Sequence, residues 1–305
     1  MQKPLLVAIA MLGIAGCAAP GPRAAVQAGQ AGCGPAGDAA AGAEQATLWV
    51  RNSAEYRASV EGIYRAALQA LRVGLADPAW SAEPSQAGEL SGLQPAVIMD
   101  IDETVLDNSA AEARALLQHT CAAEFAAAWD AWLAERAAPV IPGAAEFIHD
   151  ARELEDGLGR PVRVFFITNR ECAARPGQAA ACPQKPDTLA NLRRLGLDTP
   201  TLADDLMLKG EQPGWDEKLP RRQQVAQSYR IVLNVGDDLG DFVPEVRRLS
   251  LAGRDQARCQ YRGWWGTRWF LIPNPMYGSW LRALGSDPEV PLAAPPLPAA
   301  CAETG

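Results

Sequence analysis

Between residues 56 and 71, Tyr56, Val60, Ile63, Tyr64, Ala67, Leu68 and Leu71 recur at steps of three and four. That spacing lays one apolar stripe along a helix and predicts an amphipathic segment packed on a core. Asp77-Pro78 ends it. Beyond a polar loop the pattern changes to AVIMDI (96–101), a short continuous apolar run of the kind found in strands covered on both faces. Three more follow: VRVFFIT (162–168), DLMLK (205–209) and RIVLNVG (230–236). Helix-like stretches separate them. One starts after Ile141-Pro142-Gly143 and ends near Gly157; another spans roughly Asp187 to Leu195, with Gly196 as its C-terminal cap. Strands alternating with helices predict an α/β fold, a parallel sheet with helices on both faces.

In such sheets ligands sit outside the carboxyl ends of the strands. The polar residues closing the apolar runs are Asp100 and Asp102 after the first, Thr168, Asn169 and Arg170 after the second, and Asp237 and Asp238 after the last. Three strand ends therefore converge on one rim. The stretch from about 108 to 140, helical in composition and carrying Trp129 and Trp132, is expected to emerge there as a small cap.

The flanks lack this patterning. Residues 17–43 are mostly Ala, Gly, Pro and Gln, too poor in large apolar groups to offset their ordering entropy, and read as a disordered tether. Residues 285–305 are a Pro- and Ala-rich tail. The folded domain is expected over 44–284. At the start, Lys3 followed by LLVAIAMLGIAG has the layout of a secretory signal, residues 1–16, and is too short to span a bilayer comfortably. The run ends in IAGC, which resembles the bacterial lipobox, so Cys17 is expected to carry a lipid. The absence of Lys and Asp just after Cys17 favours the outer membrane of a bacterial envelope.

A chain with 48 % apolar and 21 % charged residues is globular rather than fibrous. Its net charge of −8 argues against a nucleic-acid polymer as partner. Cys33, Cys121, Cys172, Cys182, Cys259 and Cys301 form an even set in an exported chain, and disulfides are expected, with Cys172 and Cys182 the first candidate pair. Oligomeric state is not legible.

The clustered acids suggest phosphoryl chemistry. A phosphomonoester is a dianion whose transition state spreads charge over its equatorial oxygens, so catalysis rests on positioning and neutralisation. Asp100 and Asp237, brought together, would bind one Mg²⁺. Asp100 would then attack as nucleophile. Asp102, two residues on and facing the same way in extended chain, is placed as general acid and base. Thr168 and Asn169 offer donors to phosphate oxygens. A lysine is needed as well: Lys218 is the first choice and Lys209 the reserve. Arg170 reads equally well as a surface ion-pair partner.

DIDETVLDNS, FFITNR, the lysine of DEKLPRR, and VGDDLGDF, in that order, resemble the four motifs of the haloacid dehalogenase (HAD) superfamily. IPGAAEF and WGTRWFLIPNPMYGSW bring the likeness nearest to the class C (subfamily IIIB) bacterial acid phosphatases, the lipoprotein acid phosphatase and 5′-nucleotidase group. The resemblance spans about 48–281. It implies a Rossmann-like core with an inserted helical cap, Mg²⁺ dependence, an acidic optimum, and hydrolysis of nucleotide or aryl phosphates through an aspartyl phosphate. By position, Asp100 matches the nucleophile, Asp102 the acid/base whose backbone carbonyl also ligates metal, and Asp237 the remaining metal carboxylate. Asp238 and Asp241 take supporting roles. The family commonly continues DNS with Pro and an aromatic residue, whereas this chain has Ala110 and Ala111, so a substrate-stacking contact is missing or replaced. The rival readings are a surface lipoprotein of the same fold that binds haem or a nucleotide without turnover, and a phosphotransferase.

Overall fold

The computed structural model describes residues 38–285 together with Leu292, Ala293, Pro295, Leu297 and Cys301. Cys17 and the signal-like segment lie outside the described residues. Five strands, β1 (Gln94–Met99), β2 (Arg163–Glu171), β3 (Leu206–Lys209), β4 (Tyr229–Gly236) and β5 (Trp269–Leu271), form one parallel sheet in the order β3-β2-β1-β4-β5. The four apolar runs are β1 to β4. β5 has only three residues, too few for periodicity to register.

The sheet is buried on both faces. Val97 and Met99 of β1 point into one apolar cluster, Ala96 and Ile98 into the other, as the two-residue repeat of a strand requires. On the first face lie α2 (Ala54–Ala76), α5 (Ala144–Arg152) and α6 (Gln184–Arg194). The expected stripe of α2 is realised: Tyr56, Val60, Tyr64, Ala67 and Leu71 are buried. Ser53 caps its first turn by accepting the Tyr56 N–H at 3.1 Å. The second face is covered by α8 (Lys218–Ala226) and by an aromatic group in which Trp264, Trp265 and Phe242 surround Trp269.

Two expectations about the flanks change. α1 spans Asp38–Asn52 and so starts inside the stretch read as tether. Its alanines have the highest helix propensity, and Val50 docks in the core, which composition alone did not weigh. In the tail, Cys301 is bridged to Cys259 of α9 (Leu251–Gln260), so its end is covalently held. The Cys172–Cys182 bridge closes as expected, and Gly196 takes the left-handed conformation (φ 76°) expected of a helix cap. α3 (Ser109–Leu117) and α4 (Ala122–Glu135) occupy the stretch expected as a cap. α7 (Leu202–Asp205) and α10 (Ser279–Leu284) complete the helices used below.

Candidate active site

Register brings the acids together. Met99 pairs with Val235 in β4 and with Phe166 in β2, so the residues just after β1 and β4 share one rim with Thr168, Asn169 and Arg170 in the last part of β2. The Asp100 N–H donates to the Val235 carbonyl at 3.0 Å, which fixes Asp100 beside the start of the GDDLGD loop. That loop folds back as a 3-10 turn, Leu239–Asp241: Asp238 accepts the Gly240 N–H at 2.8 Å, and Asp241 accepts the Asp238 N–H at 2.9 Å. Only glycine fits at 236, because a Cβ there would lie 2.5 Å from that of Asp241.

Carboxylate oxygens of Asp100, Asp237 and Asp241 lie within 4.8 Å of one another. Lys218, first residue of α8 and 4 % exposed, pairs with Asp100 and, at 2.6 Å, with Asp241. Lys209 pairs instead with Glu171 at 3.5 Å, so of the two lysines it is Lys218 that meets the clustered acids. Burial pushes Asp100 up to about 7 against the pull of Lys218, and the charges of Asp241 and Asp102 add to the rise. Burial, then Asp241 and Asp100, push Asp237 well above the carboxylate range, although the Asn274 amide donates to it at 2.8 Å. Burial would lower Lys218, but Asp100 and Asp241 outweigh it and hold the ammonium above its ordinary value.

Three carboxylates crowd together with one lysine, which pairs with Asp100 and Asp241 but not with Asp237, and this leaves excess negative charge in a buried place. An oxygen-only donor set of this size suits a hard divalent cation, which would relieve the repulsion. The group includes Asp241, given a supporting role from sequence, and leaves out the Asp102 side chain.

Asp102 faces another way. Arg170 grips it through Nε (3.1 Å) and Nη2 (2.8 Å), Asn108 Nδ2 donates at 2.9 Å, and the Thr168 hydroxyl donates at 3.3 Å. Arg170 is 3 % exposed, so the surface ion-pair reading is corrected: packing of α6 against the rim, including Thr188, which accepts from Arg170 at 2.9 Å, encloses the guanidinium. Thr168 is fully buried, and its hydroxyl also accepts the Arg170 N–H at 3.0 Å. Its hydroxyl is turned to Asp102, and Thr168 is not among the residues that line the cavity. Asn169 does reach the cavity, its side-chain oxygen held by Arg221 at 3.3 Å. Asp238 accepts the Ser279 N–H at 2.6 Å and its hydroxyl at 2.7 Å, tying α10 to the acidic loop.

Sequence reading gave no role to Glu103, Asn108 or Asn274. Glu103, at φ 55° and 1 % exposed, accepts the Asn108 N–H at 2.7 Å, while Trp132 Nε1 donates to Asn108 Oδ1 at 2.8 Å. The only signal was their place within DETVLDNS and IPNP, since a bond across a tight loop, such as Glu103 to Asn108, or between distant positions, such as Asn108 to Trp132 and Asn274 to Asp237, leaves no periodic trace.

Above these groups is a cavity of about 320 Å³ reached by Asp100, Asp102, Asp237, Asn169 and Arg170. Trp129 of α4 and Tyr277 stand in its wall, edge to face with centroids 6.3 Å apart. A larger cavity of about 940 Å³, between Ile63, Trp265, Leu271 and Trp280, is mainly apolar and includes none of the clustered acids.

A parallel α/β sheet carrying paired acidic loops and a lysine at its carboxyl rim is the HAD-like architecture of phosphoryl hydrolases. The chain belongs to the HAD superfamily, subfamily IIIB (acid phosphatase), whose profile matches residues 41–280. It is similar to the class C acid phosphatase from Bacillus anthracis with tungstate bound, at 27 % identity and a TM-score of 0.63, covering 80 % of this chain and 89 % of that one. A second structure of the class C acid phosphatase from Bacillus anthracis matches at 28 % identity, TM-score 0.62 and the same coverage. The protein is thus a phosphoric monoester hydrolase of the acid phosphatase family, acting on small-molecule phosphates.

Proposed function

We propose that this acid phosphatase is Mg²⁺-dependent and works through an aspartyl phosphate on Asp100. The observation that carries the reading is the packing of Asp100, Asp237 and Asp241 within 4.8 Å of one another, with Lys218 paired to Asp100 and Asp241. Asp100 and Asp237 would hold the ion, with the Asp102 backbone carbonyl, and Asp241 would support it through Lys218. A bound Mg²⁺ supplies charge that lets a carboxylate approach a phosphoryl dianion.

An oxygen of Asp100 attacks phosphorus, the ester P–O bond breaks, and Asp102 gives the departing alkoxide its proton. Asp102 then takes a proton from water as that water attacks the phosphoryl group, the bond to Asp100 breaks, and phosphate leaves. Arg170 and Thr168 fix the Asp102 carboxyl in one orientation, the preorganisation that proton transfer requires. Lys218 neutralises charge on Asp100, and Asn169 contributes an amide donor to a phosphate oxygen.

Nucleoside monophosphates and aryl phosphates are the proposed substrates, with Trp129 and Tyr277 as the wall for a flat leaving group in place of an aromatic residue at 111. The N-terminal pattern supports a lipid on Cys17 and an outer-membrane address. Among the described residues no helix is long and apolar enough to cross a membrane. The test is p-nitrophenyl phosphate turnover by a form lacking residues 1–17 at mildly acidic pH. EDTA should abolish it and added Mg²⁺ restore it; turnover indifferent to both would remove the metal from the reading.

A further inference from the structure

Two arginines that the mechanism does not use stand in the wall of the same cavity. Arg247, half-buried, comes from the 3-10 turn Val246–Arg248, and Arg282, exposed, from α10. Among the described residues neither guanidinium has an ion-pair or hydrogen-bond partner. The carboxylates nearby are already committed. Asp238 receives the Gly240 N–H and both Ser279 donors, and Asp102 receives Arg170, Asn108 and Thr168. The two elements carrying the free arginines are fixed to each other, because Arg254 donates to the Val246 carbonyl at 3.2 Å and to the Ser279 hydroxyl at 2.8 Å. An unpaired guanidinium fork is the group best matched to phosphate oxygens.

We propose that Arg247 and Arg282 form a second anion subsite at the cavity mouth, which favours phosphomonoesters whose alcohol part carries a further phosphate. Position separates this subsite from the reacting phosphoryl group. Asp100 lines the cavity as a buried residue backed by buried Lys218, whereas Arg247 is half-buried and Arg282 exposed, so a phosphoryl group in line with Asp100 directs its leaving group outward, toward the arginines. The direction of the substrate rests on the assignment of Asp100 as nucleophile; the affinity for anions does not.

The probes are adenosine 5′-monophosphate and adenosine 3′,5′-bisphosphate, which differ by one phosphate, compared on the wild type and on the Arg247→Gln/Arg282→Gln double variant. The ratio of kcat/KM for bisphosphate over monophosphate should fall roughly tenfold or more in the variant, as expected for losing charge-assisted bonds. An unchanged ratio overturns the proposal, because the arginines then serve both substrates alike or neither. In parallel, calorimetric titration of each protein with adenosine 3′,5′-bisphosphate should show weaker binding by the variant, and equal binding also overturns the subsite. If neither protein turns over either nucleotide, the catalytic reading fails while the titration still decides on the subsite.

Discussion

Asp100 sits where burial and the charges of Asp241 and Asp102 oppose its ionisation while Lys218 favours it, and the proposed role as nucleophile needs a divalent cation to hold it ionised. Asp100→Asn keeps the size and removes the attacking oxygen's charge. Turnover of p-nitrophenyl phosphate should fall at least about a thousandfold with the circular dichroism spectrum unchanged. Arg170 makes a second test. Arg170→Met removes the fork that orients Asp102, and kcat should drop on the order of tenfold to a hundredfold, more for a poor leaving group such as an alkyl phosphate than for p-nitrophenyl phosphate. A drop equal for both would assign Arg170 to the fold rather than to proton transfer. At this scale the sequence was informative where a motif marks the residue itself, as with Asp100, Asp237 and Lys218. It was silent where the role comes from a partner far along the chain: Arg170 reads as an ordinary charged residue until α6 closes over it.

Among the elements, β1 to β4 were legible because strands covered on both faces are written as apolar runs, and α2 because its stripe has the helical repeat. α1 and β5 were not. The first is alanine-rich and gains its place by docking one end, and the second is three residues held by register with β4. The cap helix α3 carries Glu112, whose carboxyl burial pushes up to about 7 and whose Oε1 has no hydrogen-bond partner among the described residues. A carboxyl raised in the folded state above its unfolded value adds stability below the unfolded value and loses it as pH rises through the folded one. From the ordinary glutamate range up to about 7, therefore, the native chain should progressively lose stability through this group. Glu112→Gln should stabilise the protein by about 1–2 kcal/mol near pH 8 and have little effect near pH 4, as read from urea midpoints. A gain of equal size at both pH values would mean that ionisation of Glu112 is not the cause.

For the whole molecule, the link between Cys259 and Cys301 spans 42 positions and restrains the tail against α9. Loop-closure entropy of that size is worth about 3–4 kcal/mol, so Cys301→Ser should lower stability by roughly that amount with little change in kcat. The fold class could be read from alternation alone, but the joining of Asp100 to Asp237 depends on strand order, which places β4 beside β1 and which no local pattern encodes. On that order rests the proposed phosphoryl acceptor role of Asp100. It is tested most directly with an Asp102→Ala variant, which can still expel p-nitrophenolate but has lost the base that activates water. Acid-quenched after mixing with p-nitrophenyl phosphate and Mg²⁺, it should carry one phosphoryl group on the peptide containing Asp100. A peptide that stays unmodified while p-nitrophenol is released, or a phosphoryl group found on another residue, would remove Asp100 from the centre of the mechanism.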